Sequence, residues 1–307
     1  MTRTVALSRR TVLGAGLAGT ASFLGGSAAW AASALDILVI GDWGNPSDGQ
    51  TAVAAAMSMV AARLPPRLII STGDNFYPRG VTSATDKSWK SAFEDVYNSP
   101  ELACPWYAVL GNHDRTGNIQ AEIERSSIDP RWHMPARFYA HREQMPDGGA
   151  VEFFFFDTTL IAEDGGDAAS TTDQAQFEWL EQGLATNSAT WRLVVGHHPV
   201  FSGGHHGNTP GLVARLKPLL DRYKVQAYLN GHDHDLQHVV VDQVHYLTAG
   251  AGAKTRPTGK ITGSVFAAAT LGFLHVALTA QQMDIAFIGT KDEPLHTARI
   301  RADRSEG

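Results

Sequence analysis

Five short clusters carry residue types that bind metals or move protons. They are Gly41-Asp42-Trp43-Gly44, Gly73-Asp74-Asn75-Phe76-Tyr77, Gly111-Asn112-His113-Asp114, Gly196-His197-His198-Pro199 and Gly231-His232-Asp233-His234. Carboxylates, imidazoles, an amide and a phenol make a mixed oxygen and nitrogen donor set, which suits metal-assisted hydrolysis. Taken singly, each cluster has a plain structural explanation: an Asp after a strand can cap the next helix, and a loop histidine is commonly solvated. Five in succession, each opened by glycine at the end of an apolar run, are hard to explain by capping or packing. His205-His206 adds two imidazoles shortly after the fourth cluster. No rival catalytic set is present. A nucleophile elbow is missing, the single Cys104 has no local sign of activation, and Gly14-Ala15-Gly16 follows no strand that would make it a dinucleotide loop.

The elements that must position these clusters are legible as alternating apolar runs. Asp36 to Ile40 reads as a buried strand, Gln50 to Leu64 as an Ala-rich helix stopped by Pro65-Pro66, and Leu68 to Ser71 as the next strand. Further strands are expected at Trp106 to Leu110, Val151 to Phe156, Arg192 to Val195 and Gln226 to Leu229. Helices are expected at Ser88 to Tyr97, Asp173 to Leu184 and Leu212 to Tyr223. From Gln237 to Ile300 closely spaced strand-like runs, including Gln243 to Leu247, Gly272 to Leu278 and Met283 to Gly289, predict an antiparallel portion. The class is α/β, with the clusters at strand ends, where such sheets place ligands.

Composition narrows the function from outside. The chain has 307 residues, 43% of them hydrophobic, enough for a large core. A formal charge of -6 without a basic stripe argues against nucleic acid as a partner. One cysteine excludes an internal disulfide. At the start, Ser8-Arg9-Arg10-Thr11-Val12-Leu13 precedes a Gly- and Ala-rich apolar run and Ala29-Trp30-Ala31 offers small residues for cleavage, the pattern of a twin-arginine export signal over residues 1–31. That run is a poor permanent membrane span, so the mature domain, 32–307, is expected to be periplasmic or secreted without a stable anchor, and monomeric.

In their order, the clusters resemble the metallophosphoesterase superfamily, whose pattern is Asp, Gly-Asp, Gly-Asn-His-Asp, Gly-His and Gly-His-x-His. Generic members carry His two residues after the first Asp; here that position is Gly44, and Tyr77 stands three residues after Asp74, where purple acid phosphatases supply a phenolate. The resemblance runs from about Leu35 to Arg301 and includes Phe93-Glu94-Asp95-Val96, Pro105-Trp106-Tyr107, Arg131-Trp132 and Pro218-Leu219-Leu220. It implies a four-layer α-β-β-α sandwich of two mixed sheets and an acid phosphatase acting on small phosphate monoesters. Asp42, Asp74, Tyr77 and His234 would hold Fe(III), and Asn112, His197 and His232 a divalent Fe, Zn or Mn, with Asp74 bridging. Metal-bound hydroxide would attack phosphorus while His113, His205 or His206 protonates the leaving group. Asp114 would orient His113 or hold its loop, Asp233 and Asp235 would support the ligands from behind or serve as turn residues, Trp43 would shield or pack under the metals and Asn75 would bond within its turn. Segment 162–169 is shorter than the repressive loop of the animal enzymes, so proteolytic activation is not expected. Two other readings share these residues: a phosphodiesterase or nucleotide pyrophosphatase of the same superfamily, and a non-catalytic metal or phosphate sensor.

Overall fold

The computed structural model of the chain describes residues 34–163, 171–291 and 293–303, together with Met1. Apart from Met1, the expected export signal lies outside the described residues, as do positions 164–169 of the short segment. Strand β1 (Leu35–Ile40) leads to helix α1 (Asp48–Ala61), whose first turn is capped by Ser47 accepting from Gln50 N at 3.2 Å. Then come β2 (Leu68–Ser71), a π-helical turn (Trp89–Glu94), β3 (Trp106–Ala108), the short helices α2 (Asn112–Arg115) and α3 (Ile119–Arg125), and β4 (Trp132–His133). The middle of the chain forms β5 (Tyr139–Gln144), β6 (Ala150–Phe155), α4 (Thr159–Glu163), α5 (Thr171–Thr186), β7 (Trp191–Val195), α6 (Pro210–Arg222) and β8 (Ala227–Asn230). It ends in β9 (Leu236–Val241), β10 (Val244–Ala249), β11 (Ser264–Ala268), β12 (Gly272–Leu278), β13 (Gln282–Gly289) and β14 (Pro294–Arg301).

Two seven-stranded mixed sheets result, in the orders β14-β13-β12-β1-β2-β3-β4 and β11-β9-β10-β8-β7-β6-β5. Strand alternation assigns each side chain to a layer. Phe153, Phe155, Leu193 and Val195 face the first sheet, in one core with Ile37, Val39 and Ile69. Their neighbours Phe154, Phe156 and Val194 face the other way, onto Phe177 and Leu180 of α5 and Leu212, Leu216 and Leu220 of α6. On the far side Val53, Met57 and Val60 of α1 join the first core. The arrangement is the expected four-layer sandwich.

Parallel order is what makes a site. β1, β2 and β3 run parallel, so Asp42, Asp74 and Asn112 emerge at one edge; β7 and β8 run parallel in the other sheet and deliver His197 and His232. Three local expectations are corrected. Helix α1 ends at Ala61 rather than Leu64, because a residue before proline is driven out of the helical region and the chain closes in turns. The stretch expected as helix Ser88 to Tyr97 is a π-helical turn over Trp89–Glu94. Packing sets its backbone: Trp89 lies 4.9 Å from Trp132 and Phe93 5.1 Å from Trp106, ring to ring. The C-terminal strands divide between the sheets, β9 to β11 in one and β12 to β14 in the other, and β10 pairs parallel with β8.

Candidate metal centre

Seven side chains from the five clusters meet in two adjoining groups. In the first, the Tyr77 hydroxyl lies 2.7 Å from Asp74 Oδ2, 3.1 Å from Asp42 Oδ1 and 3.2 Å from His234 Nε2. In the second, Asn112 Oδ1 lies 3.1 Å from both His197 Nε2 and His232 Nδ1, which are 3.2 Å apart. Asp74 belongs to both, because its other oxygen, Oδ1, stands 3.5 Å from His197 Nε2.

Backbone geometry forces this convergence. Asp42, Asp74 and His232 have positive φ (57°, 52° and 68°), a left-handed conformation costing non-glycine residues about 1 kcal/mol or more each, which tends to be held at functional sites. Gly111 permits the closest approach: a Cβ there would lie 2.1 Å from Asp74 Oδ1. Gly44 has a similar role, since its Cβ would lie 1.8 Å from Asn75 O, and its own carbonyl accepts from Tyr77 N at 2.9 Å. The missing side chain at position 44 is therefore what lets the segment carrying Tyr77 close in. Asp114 ties two loops together by accepting from Gly111 N (2.8 Å), Asn75 N (3.0 Å) and Phe76 N (2.9 Å). Of the two roles expected for it, holding the loop is the one the contacts support; His113 Nδ1 donates instead to Pro78 O at 2.7 Å. Asn75 fills its turn, donating to Val109 O and Glu122 Oε2, and Trp43 packs beneath, its Nε1 donating to Ser71 Oγ at 2.8 Å.

The donor set fits cations. His197 Nδ1 faces the carbonyl oxygen of Thr72 at 2.9 Å; a carbonyl only accepts, so the proton is on Nδ1 and Nε2 presents a lone pair. That lone pair meets an amide oxygen and a second imidazole nitrogen, and at most one proton can serve the three atoms. In the first group one hydroxyl proton faces two carboxylate oxygens and an imidazole nitrogen, while His234 Nδ1 is buried without a partner. Lone pairs packed this closely repel unless positive charge stands among them. Titration directions agree. Burial, together with the charge of Asp74, holds the Asp42 carboxyl well above its usual range, and burial beside Asp42 and Asp74 pushes the Tyr77 phenol far up. Burial and the neighbouring imidazoles push His232 and His198 down, which keeps them neutral.

A cavity of about 240 Å³ opens over the first group, lined by Asp42, Tyr77, His113 and His234 together with Lys254, Thr255 and Arg256. A second, of about 380 Å³, opens over the other group and is lined by Asn112, His198, His206 and His232. Among the sequence candidates for proton transfer, His113 and His206 reach the cluster: the His113 ring lies 4.4 Å from that of Tyr77 and the His206 ring 4.1 Å from that of His232. His205 does not. Both histidines are exposed, their rings 5.0 Å apart, but Asp233 pins the loop through Ser202 Oγ and His206 N, and it is the second histidine that packs on His232. Asp233 is thus the turn residue expected, and Asp235 accepts from Gln237 in the same turn. His198 is buried, its Nδ1 on Thr158 Oγ1 at 2.9 Å, a wall of the second cavity.

Sequence reasoning missed Thr158, whose Oγ1 also accepts from the His197 and His198 amides, and buried Glu122. It also missed Lys254 and Arg256, although Gly250-Ala251-Gly252 after β10 is a sixth glycine-led strand end. Arg256 Nη1 donates to His206 Nε2 at 2.5 Å; a guanidinium has only donors, so His206 keeps its proton on Nδ1.

Comparison with known proteins places this geometry. Residues 35–236 match the calcineurin-like phosphoesterase family. Purple acid phosphatase 4 of Arabidopsis thaliana is 34% identical over 85% of this chain and 82% of its own length. Human tartrate-resistant acid phosphatase type 5 is 34% identical over 88% of this chain and 92% of its own. Among solved structures, the Plasmodium protein GAP50, described as the anchor in the inner membrane complex, superposes with a TM-score of 0.82 at 25% identity over 89% of this chain and 90% of that one. The purple acid phosphatase PPD1 of yellow lupin superposes with a TM-score of 0.69 at 16% identity over 88% of this chain and 54% of its own, a likeness of fold. With its family domain, its relatives and its seven convergent donors in agreement, the chain belongs to the calcineurin-like phosphoesterases and, within them, to the purple acid phosphatases.

Proposed function

We propose that the protein is a metal-dependent acid phosphatase hydrolysing small phosphate monoesters. The observation that carries this is the pair of lone-pair clusters joined through the two oxygens of Asp74. Asp42, Asp74, Tyr77 and His234 would hold Fe(III), because two carboxylates and a phenol are hard, anionic donors suited to a trivalent ion. Asn112, His197 and His232, with Asp74 shared, would hold a divalent Fe, Zn or Mn, since neutral amide and imidazole donors carry less charge. When bound, the pair supplies Lewis acidity that makes water acidic and offsets phosphate charge.

The chain's own residues do the rest. His113 is anchored through Nδ1–H on Pro78 O, which leaves Nε2 as its exchangeable nitrogen at the first cavity. From there it would give a proton to the leaving alkoxide. His206, with Nε2 engaged by Arg256, would instead contact the phosphate from the side of His232. His205, whose ring packs on His206 and not on the donor groups, is left without a proton-transfer role. Thr158 and Thr72 fix the orientation of His197 and thereby the second group.

Export by the twin-arginine pattern at residues 8–13, with cleavage near residue 31, is part of the same proposal and would carry the enzyme to the periplasm or outside the cell. No helix among the described residues is long and apolar enough to cross a membrane. A small ester is the expected partner rather than nucleic acid, and the working unit is expected to be a monomer.

A substrate panel tests the proposal. The metal-loaded protein should hydrolyse p-nitrophenyl phosphate at acidic pH, faster than bis(p-nitrophenyl) phosphate, and Asp74→Ala should lose at least about 100-fold in kcat/KM. Preference for the bis-ester would identify a phosphodiesterase, and a loaded protein inert to every ester would leave only a binding role.

A further inference from the structure

The first cavity has walls of opposite character. Asp42, Tyr77 and His234, the donors of the first group, form its floor, and His113, Lys254 and Arg256 line it as well. Neither cation pairs with a carboxylate within 4.0 Å among the described residues. Lys254 is exposed, and Arg256, half-buried, donates one guanidinium N–H to His206 Nε2 and its backbone N–H to His234 O at 2.8 Å. The remaining N–H groups of that guanidinium have no protein acceptor among the described residues.

Unpaired cations on the wall of a cavity whose floor is itself a cation-binding cluster repel that floor when it is filled. An anion lying between them and the floor relieves the repulsion. The phosphate bound for cleavage sits on the floor, so a group reaching Lys254 and Arg256 belongs to the part of the substrate that leaves. Resting on the phosphatase reading above, we propose that Lys254 and Arg256 form a subsite for a second anionic group on the leaving portion of the substrate. The preferred substrates are then phosphate compounds whose leaving group carries a carboxylate or a further phosphate.

Calorimetry with uncleavable analogues separates this subsite from the reaction. The metal-loaded full-length protein is titrated with phenylphosphonate, 4-carboxyphenylphosphonate and 1,4-phenylenebisphosphonate. Two partly exposed ion pairs are expected to make the doubly anionic analogues bind about tenfold tighter than phenylphosphonate. Lys254→Gln should reduce that ratio about threefold, and combining it with Arg256→Gln should bring it to about one. Arg256→Lys, which keeps the charge, should retain most of it. A stronger gain from the bisphosphonate identifies phosphate as the second group, and a stronger gain from the carboxylate identifies a carboxylic acid. Equal binding of all three analogues by the wild type overturns the subsite, whether or not the variants fold, as does a ratio that survives the double substitution. Turnover of p-nitrophenyl phosphate by the same preparation separates this failure from failure of the phosphatase reading, because that ester has no second anion.

Discussion

Asp114 shows how one residue away from the two donor groups governs them. Its two oxygens accept three backbone N–H groups, one from the loop of Asn112 and two from the loop that carries Tyr77. Asp114→Asn keeps the size but replaces an accepting oxygen by a donating NH₂, leaving at least one buried N–H unpaired at a cost of about 1–3 kcal/mol. The variant should melt several degrees lower and bind less than its full metal complement, measured by thermal denaturation and metal analysis; wild-type values of both would mean that the loops hold without it. Gly44 acts through its lack of a side chain. Gly44→His restores the residue usual in the wider superfamily but brings a Cβ to 1.8 Å from Asn75 O, so Tyr77 should be displaced and any tyrosinate absorption lost. A Gly44→His protein that keeps that absorption would contradict the coupling. Tyr77 was legible in the sequence because its spacing from Asp74 and the gap at Gly44 are both local. Lys254 and Arg256 were not, because the glycine-led strand end at Gly250 marks a loop near the site but not which surface its cations face.

At the scale of elements, parallel strands ending at one edge of each sheet explain why clusters so far apart in sequence converge. Those strands were legible from apolar runs, with ends displaced by a residue or two. The π-helical turn and the sharing of the C-terminal strands between the sheets were not, because aromatic packing and sheet choice are tertiary decisions. Another joint between the sheets also escaped the sequence: His238 on β9 contacts His245 on β10 at 2.8 Å and His296 on β14 at 3.1 Å. Burial, then the charges of His245 and His296, hold the His238 pKa down to about 3. An unfolded histidine titrates near about 6.5, so as pH falls from there toward 3 the unfolded chain takes up a proton that the folded chain refuses, and stability declines. The melting temperature should therefore drop between about pH 6.5 and 4, and less steeply in His238→Gln, which bonds without titrating. Identical slopes would show that His238 does not carry the acid sensitivity.

For the whole molecule, the sandwich is a device that faces two strand-end edges toward each other. The bond from His197 Nδ1 to Thr72 O crosses between them and helps unite the two donor groups. The same architecture serves named phosphatases and a protein described as an anchor, so the fold leaves function to the side chains at those edges. Here all seven donors are in place. Their claim on two cations, one of them iron on Tyr77, is tested most directly by metal analysis joined to a visible absorption spectrum of the purified protein. Two metal ions per chain are predicted, at least one of them iron, with a broad visible band that disappears in Tyr77→Phe. Fewer than one ion per chain, or two ions of zinc or manganese with no such band, would contradict the account.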